Sequence, residues 1–200
     1  MRVVGGTWRG RRLTAPAGRA TRPTSDLVRE AILDVLVSLL AAAAPVDEAP
    51  ADAGVGPLAG GAVLDLFAGS GALGIETLSR GAASCAFVER APAALRALRE
   101  NLARVGAPKD AVRVSAADYR RALKADAAGA RLYNLVLIDA PYALYPAVEP
   151  ELANRVPAVL RPGAVVVVET AKGQAANLSL VERSVKFYGD TRVTFLQARS

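Results

Sequence analysis

From Ala62 onward, short runs of apolar and β-branched residues alternate with segments whose apolar positions recur every three or four residues. The runs Ala62–Leu66, Ser84–Val88, Val112–Ser115, Leu132–Ile138 and Ala164–Glu169 predict strands. Leu135–Ile138 is apolar throughout, as a strand buried on both faces requires. Between them, Gly71–Arg80, Pro92–Val105, Tyr119–Ala125 and Pro146–Leu160 predict helices. This alternation implies an α/β domain with a parallel sheet covered on both faces. Leu180–Tyr188 and Arg192–Ala198, parted by Gly189-Asp190, then predict an antiparallel hairpin at one edge, giving a mostly parallel seven-stranded sheet.

Ahead of this region, Arg2–Gly6 and Gly10–Thr14 predict two short strands joined around Thr7-Trp8-Arg9, a small β-hairpin. Leu27, Val28, Ala31, Ile32, Val35, Leu36 and Leu39 follow helical spacing, so a helix is expected from about Asp26 to Ala43, with Thr24 or Ser25 as its N-cap. Residues 44–61 are rich in alanine, glycine and proline, without a basic residue or an apolar period, and read as a flexible linker. The expected organisation is a basic hairpin and helix (1–43), a linker (44–61) and a catalytic domain (62–200).

Composition narrows the chemistry. A chain of 200 residues that is 52% hydrophobic can bury one sizeable core. It contains no histidine and one cysteine, Cys85, which rules out an internal disulfide, the usual zinc ligand sets and Ser-His or Cys-His catalysis. No metal is expected, and Cys85 reads as a small apolar strand residue. The absence of a signal-type apolar core, and of an apolar run near the ~18 residues a membrane helix needs, predicts a cytoplasmic, soluble chain. The net charge of +6 is unevenly distributed. Residues 1–30 hold seven arginines against Asp26 and Glu30, and the remainder is nearly neutral. Such an arm on a neutral body suits a nucleic-acid backbone, and equally fits a charge run that merely solvates its own segment.

Val63-Leu64-Asp65-Leu66-Phe67-Ala68-Gly69-Ser70-Gly71-Ala72-Leu73-Gly74 places a buried strand before a glycine turn and a helix start. That arrangement brings a nucleotide cofactor against backbone N–H groups. Gly69, Gly71 and Gly74 also satisfy G-x-G-x-x-G, which fits a dinucleotide-binding dehydrogenase. Asp65 separates the two readings. A carboxylate at this turn repels a pyrophosphate but attracts the α-ammonium of a methionine moiety, favouring S-adenosylmethionine. Glu89, after the second strand, is positioned to accept from both ribose hydroxyls of either cofactor. Asp118, after the third, can accept from an adenine amino group or serve as an ordinary N-cap. Phe67, Ala68, Ser70, Arg90 and Ala117 flank these groups and complete the expected cofactor-binding set.

The fourth strand ends in Asp139-Ala140-Pro141-Tyr142, where ligands of such sheets bind. An exocyclic base amine is a poor nucleophile because its lone pair is delocalised into the ring. Asp139 and the Ala140 carbonyl can accept its two N–H bonds and turn the nitrogen toward a methyl donor. Orientation of this kind contributes up to roughly 7–11 kcal/mol. Tyr142 would stack on the extruded base.

These four residues resemble the Asp/Asn-Pro-Pro-Tyr/Phe signature of amino-group methyltransferases. The stretch Arg2–Leu13, then Arg22-Pro23-Thr24-Ser25-Asp26 and Val28-Arg29-Glu30-Ala31, resembles the opening of the bacterial RsmD family of small-subunit (16S) ribosomal RNA guanine-N2 methyltransferases. The resemblance runs in order along nearly the whole chain. It implies a Rossmann-like class I S-adenosylmethionine-dependent methyltransferase fold and methylation of N2 of one guanine in the small ribosomal subunit or an assembly intermediate, by a monomer. It also implies that Arg22, Pro23 and Thr24 lie beside the cofactor, and that the hairpin meets RNA through Arg2, Trp8, Arg9, Arg11 and Arg12. Trp8 can equally pack the hairpin onto the core. The chain departs from the family at Ala140, where proline is usual, and in its longer segment 44–61. The alternatives are an adenine-N6 methyltransferase acting on DNA or RNA, a dehydrogenase, and a binding factor that has lost turnover.

Overall fold

The structure, a computed structural model, describes residues 1–16, 26–43 and 58–199. Strands β1 (Ala62–Leu66), β2 (Ser84–Glu89), β3 (Val112–Ala116), β4 (Tyr133–Ile138) and β5 (Leu160–Ala171) run parallel. Strand β7 (Thr191–Gln197) pairs antiparallel with β5 and with β6 (Val181–Tyr188), and the sheet order is β3-β2-β1-β4-β5-β7-β6. The helices are α1 (Asp26–Ala43), α2 (Ala72–Ser79), α3 (Pro92–Arg104), α4 (Tyr119–Ala128) and α5 (Tyr145–Arg155).

The two-residue period of the strands sorts the core into two layers. Val63, Cys85, Phe87, Leu135, Leu137, Val165, Val167 and Phe195 face one cluster, shared with Ile32, Leu33 and Leu36 of α1 and with α2 and α3. Leu64, Leu66, Ala86, Val88, Val136, Ile138, Val166 and Val168 face the other, shared with α4 and α5. Cys85 is buried and free, as its apolar setting predicts. The helix expected to reach Leu160 ends at Arg155 and tightens into a 3₁₀ turn at Val156–Val159. Pro157 has no N–H to donate one turn back, which ends the α-helical ladder there.

The N-terminal hairpin takes a different form from two regular strands. Its pairing is a single antiparallel bridge, Arg2 with Arg12, flanked by backbone bonds from Val3 N to Arg11 O (2.9 Å) and from Leu13 N to Met1 O (3.0 Å). Gly6–Trp8 form a 3₁₀ turn at its tip. The reason lies in α2, against which the tip is docked. Gly6 has φ +72°, and a Cβ built there would lie 1.8 Å from the Ser79 carbonyl oxygen. Buried Glu76 accepts from the N–H groups of Val4 and Gly5. Ser79 Oγ donates to Gly5 O (2.6 Å) and accepts from Trp8 N (2.9 Å). The segment read as a linker falls largely at 44–57, outside the described residues; its end is anchored by buried Leu58. Thr24 and Ser25, the expected N-caps of α1, also lie outside them.

Candidate active site

The strand order places β1 between β2 and β4, so the chain winds outward in opposite directions from the β1–β4 pair. Loops that leave the carboxyl ends of such strands diverge and open a crevice. Both motifs lie at this crevice. Register pairs Leu66 with Ile138, so Phe67 and Asp139 are the next residues on adjacent strands.

The turn after β1 is tightly determined. Phe67 adopts φ +64°, a left-handed conformation rare for a non-glycine residue, and Gly69 and Gly71 follow at +56° and +79°. Left-handed backbone at a bulky residue costs of order 1–3 kcal/mol and concentrates at functional sites. Gly71 and Gly74 are packing requirements, since a Cβ would lie 2.3 Å from Leu98 Cδ1 and 2.4 Å from Phe87 Cε1 respectively. Gly69 is different: an added Cβ meets nothing nearer than the Phe67 carbonyl oxygen at 3.9 Å, so its outer face is open to a ligand.

Carboxylates surround this turn. Asp65 is 1% exposed, and its Oδ2 accepts from Gly74 N at 3.0 Å. Burial raises its pKa to about 7; the Gly74 bond opposes that shift and the Glu89 charge adds to it. Glu89 Oε2 accepts from Gly69 N (2.9 Å), and its Oε1 accepts from Arg90 N and Ala91 N (2.7 Å each). With about four acceptor positions on a carboxylate, one remains for a ligand. Accepting from both ribose hydroxyls would require release of a backbone donor. Asp118 is the N-cap of α4, accepting from Arg120 N at 3.0 Å, and it pairs with Arg90 at 3.5 Å. Ala117 N donates to Glu89 O, joining the ends of β2 and β3. The Phe67 and Tyr119 rings lie 5.2 Å apart. Ala68 and Ser70 are buried within the turn. An acidic rim around an open glycine suits a cationic nucleoside better than a pyrophosphate.

At the end of β4, Asp139 is half-buried, Ala140 is fully buried in the α4–α5 core layer and Pro141 is exposed. The Pro141 carbonyl accepts from Leu144 N (2.7 Å) and Tyr145 N (3.1 Å), which fastens this turn to α5. Half-buried Tyr142 donates to Glu169 Oε1 at 2.8 Å and lies 2.7 Å from Thr191 Oγ1. Sequence reasoning missed these partners. Glu169 carries a readable signal, as an acid directly after the apolar run Ala164–Val168; Thr191 carries none.

Among the expected RNA contacts, Arg2, Arg9, Arg11 and Arg12 are all exposed, and Arg11 also donates to the Val105 carbonyl. The Arg2 carbonyl accepts from buried Arg29 (2.8 Å). Trp8 is half-buried against the core. Arg22, Pro23 and Thr24 lie outside the described residues. A further residue, fully buried Asn101 of α3, was not anticipated: its amide donates to Thr14 O and Ser70 O (2.9 Å each), and its oxygen accepts from Thr14 N (2.7 Å). It ties the arm directly to the glycine turn.

The strand order, the glycine turn and the β4 motif together define the class I methyltransferase fold. Residues 1–197 match the family model described as Conserved hypothetical protein 95, and the chain belongs to that family, the RsmD family. YlbH of Bacillus subtilis, provisionally named an rRNA methyltransferase, is 40% identical over 71% of this chain and 67% of its own length. Ribosomal RNA small subunit methyltransferase D of Escherichia coli is 37% identical over 71% of this chain and 60% of its own. A hypothetical protein of Thermus thermophilus superposes with a TM-score of 0.78 at 28% identity, covering 99% of each chain.

Proposed function

We propose that this protein transfers a methyl group from S-adenosylmethionine to the exocyclic N2 of a guanine in small-subunit ribosomal RNA, acting in the cytoplasm on the subunit or an assembly intermediate. The observation that carries the reading is the juxtaposition, on paired strands at the switch point, of an acid-rimmed glycine turn and Asp139-Ala140-Pro141-Tyr142. Names of the curated relatives support ribosomal RNA as the substrate class.

In this reading Asp65 neutralises the α-ammonium of the cofactor, Glu89 accepts from its ribose, and the Gly69 face admits it. S-adenosylmethionine, when bound, supplies a methyl group activated by a sulfonium. Half-buried Asp139 accepts from the guanine amine, localises its lone pair and aims it; the Ala140 carbonyl, fully buried here, has to be uncovered to accept the second N–H. Tyr142 stacks on the base. The arm supplies arginine charge for the RNA backbone, with affinity that falls as salt rises.

The test is to incubate purified protein with radiolabelled S-adenosylmethionine and under-methylated small subunits, assembly intermediates or their RNA, then digest and identify the labelled nucleoside. N2-methylguanosine is expected, with activity lost on Asp139→Ala by about 100-fold or more, a misplaced nucleophile costing that much. Label in N6-methyladenosine would replace the substrate. Cofactor binding without transfer to any of the three would leave a binding factor.

A further inference from the structure

We propose that Glu169 and Thr191 are positioning residues for Tyr142, presetting its ring as the wall on which the target base stacks. The inference rests on the base-stacking reading of Tyr142 given above. A phenol has one hydroxyl hydrogen; with it directed to Glu169 Oε1 at 2.8 Å, the Thr191 hydroxyl is the donor to the Tyr142 oxygen at 2.7 Å. The two partners stand on neighbouring antiparallel strands, where Glu169 pairs with Val193 and Ala171 with Thr191. Both are therefore fixed by the sheet, whereas Tyr142 sits in the turn between β4 and α5.

Two bonds at the far end of the ring, with the Pro141 carbonyl bound to α5, remove the rotation a loop tyrosine would otherwise retain. The base then meets an ordered surface and spends less binding free energy ordering it. Glu169 is 6% exposed and follows Val165–Val168, four buried valines. An apolar side chain would serve strand stability at least as well as a buried carboxylate. What this carboxylate adds is an acceptor for the Tyr142 hydroxyl. Burial, together with the charges of Glu169 and Asp139, pushes the Tyr142 phenol above its ordinary value.

The test compares wild type with Glu169→Gln, Glu169→Ala, Thr191→Val, Tyr142→Phe and the Glu169→Ala/Tyr142→Phe double variant. Their steady-state methylation of under-methylated subunits or RNA is measured, and the phenols are titrated by ultraviolet absorption, with the Tyr142→Phe curve subtracted. Presetting one side chain corresponds to about two- to tenfold in rate. Glu169→Ala and Tyr142→Phe are expected to lower kcat/KM for the RNA by about that factor, with the KM for S-adenosylmethionine unchanged. Glu169→Gln, which keeps an acceptor, restores most of the loss, and Thr191→Val loses less. The double variant loses no more than either single one, because one contact is removed once. In Glu169→Ala the Tyr142 phenol ionises at lower pH.

Multiplying losses in the double variant, or singles equal to wild type, would overturn the proposal, as would an unmoved phenol titration. Wild type that methylates no RNA offered overturns the stacking reading on which it rests, and the titration then still reports whether the contact exists. Should Glu169→Ala fail to fold, Thr191→Val, Tyr142→Phe and their double variant carry the same comparison.

Discussion

Asp65 illustrates what one buried carboxyl does. In the unfolded chain it ionises near 3.8, and in the fold near 7. Between those values the native state binds the extra proton, so stability falls as pH rises from about 4 to about 7 and is flat beyond. Asp65→Asn keeps an oxygen for the Gly74 N–H without the buried charge. Its melting temperature is expected to exceed that of wild type by several degrees at pH 8, with the gap closing near pH 4; calorimetry across that range checks it. The same substitution should abolish S-adenosylmethionine binding at pH 8, measured by titration calorimetry. Wild-type affinity should itself weaken below about pH 7, where a protonated Asp65 no longer attracts the ammonium.

Between elements, the decisive contacts are those of the arm on α2 and α3. Glu76, Ser79 and Asn101 together satisfy backbone groups of residues 4, 5, 8 and 14. Burial raises the Glu76 carboxyl even against the arm's N–H groups and the charges of Arg29 and Arg80. Gly6→Ala would introduce a Cβ into the Ser79 carbonyl and force a side chain into a left-handed backbone. RNA affinity is expected to drop about tenfold or more, with S-adenosylmethionine affinity within about twofold, as filter binding and calorimetry would show; tenfold is about 1.4 kcal/mol, comparable with one lost buried hydrogen bond. Equal RNA affinity in the variant would remove the arm from the RNA surface.

The described residues form one sheet between two apolar layers, and buried charges are held where those layers meet polar partners. Asp126 of α4, 1% exposed at its side chain, accepts from Arg113 Nη2 and Tyr133 Oη at 2.6 Å each, joining β3, α4 and β4. Burial and the Asp126 bond push the Tyr133 phenol upward, so it remains the donor. Asp126→Ala leaves the Tyr133 hydroxyl without its acceptor, while the part-exposed guanidinium keeps the Tyr133 oxygen, and should cost about 1–3 kcal/mol. A chain of this size then melts lower by about 2–4 °C for each kcal/mol. Transfer rate per folded molecule at low temperature should be unchanged, because the triad lies away from the crevice residues.

The sequence alone determined the strands, their helices and the hairpin edge to within a few residues, because each is written in a local period of apolar positions. It also marked Asp65, Glu89, Asp118 and Asp139, since an acid at or just beyond a strand's end stands out against its neighbours. Alternation predicted a parallel sheet, but only tertiary structure decided the order β3-β2-β1-β4 and brought Phe67 beside Asp139. Tertiary structure also decided that the arm forgoes strand pairing for α2, and that Tyr142 is held by Glu169 and Thr191, 27 and 49 residues away in the chain. These contacts join residues with no shared period and no characteristic spacing. Local propensity reports what a segment prefers alone; a hydrogen bond across the fold depends on where the packed layers carry its two ends.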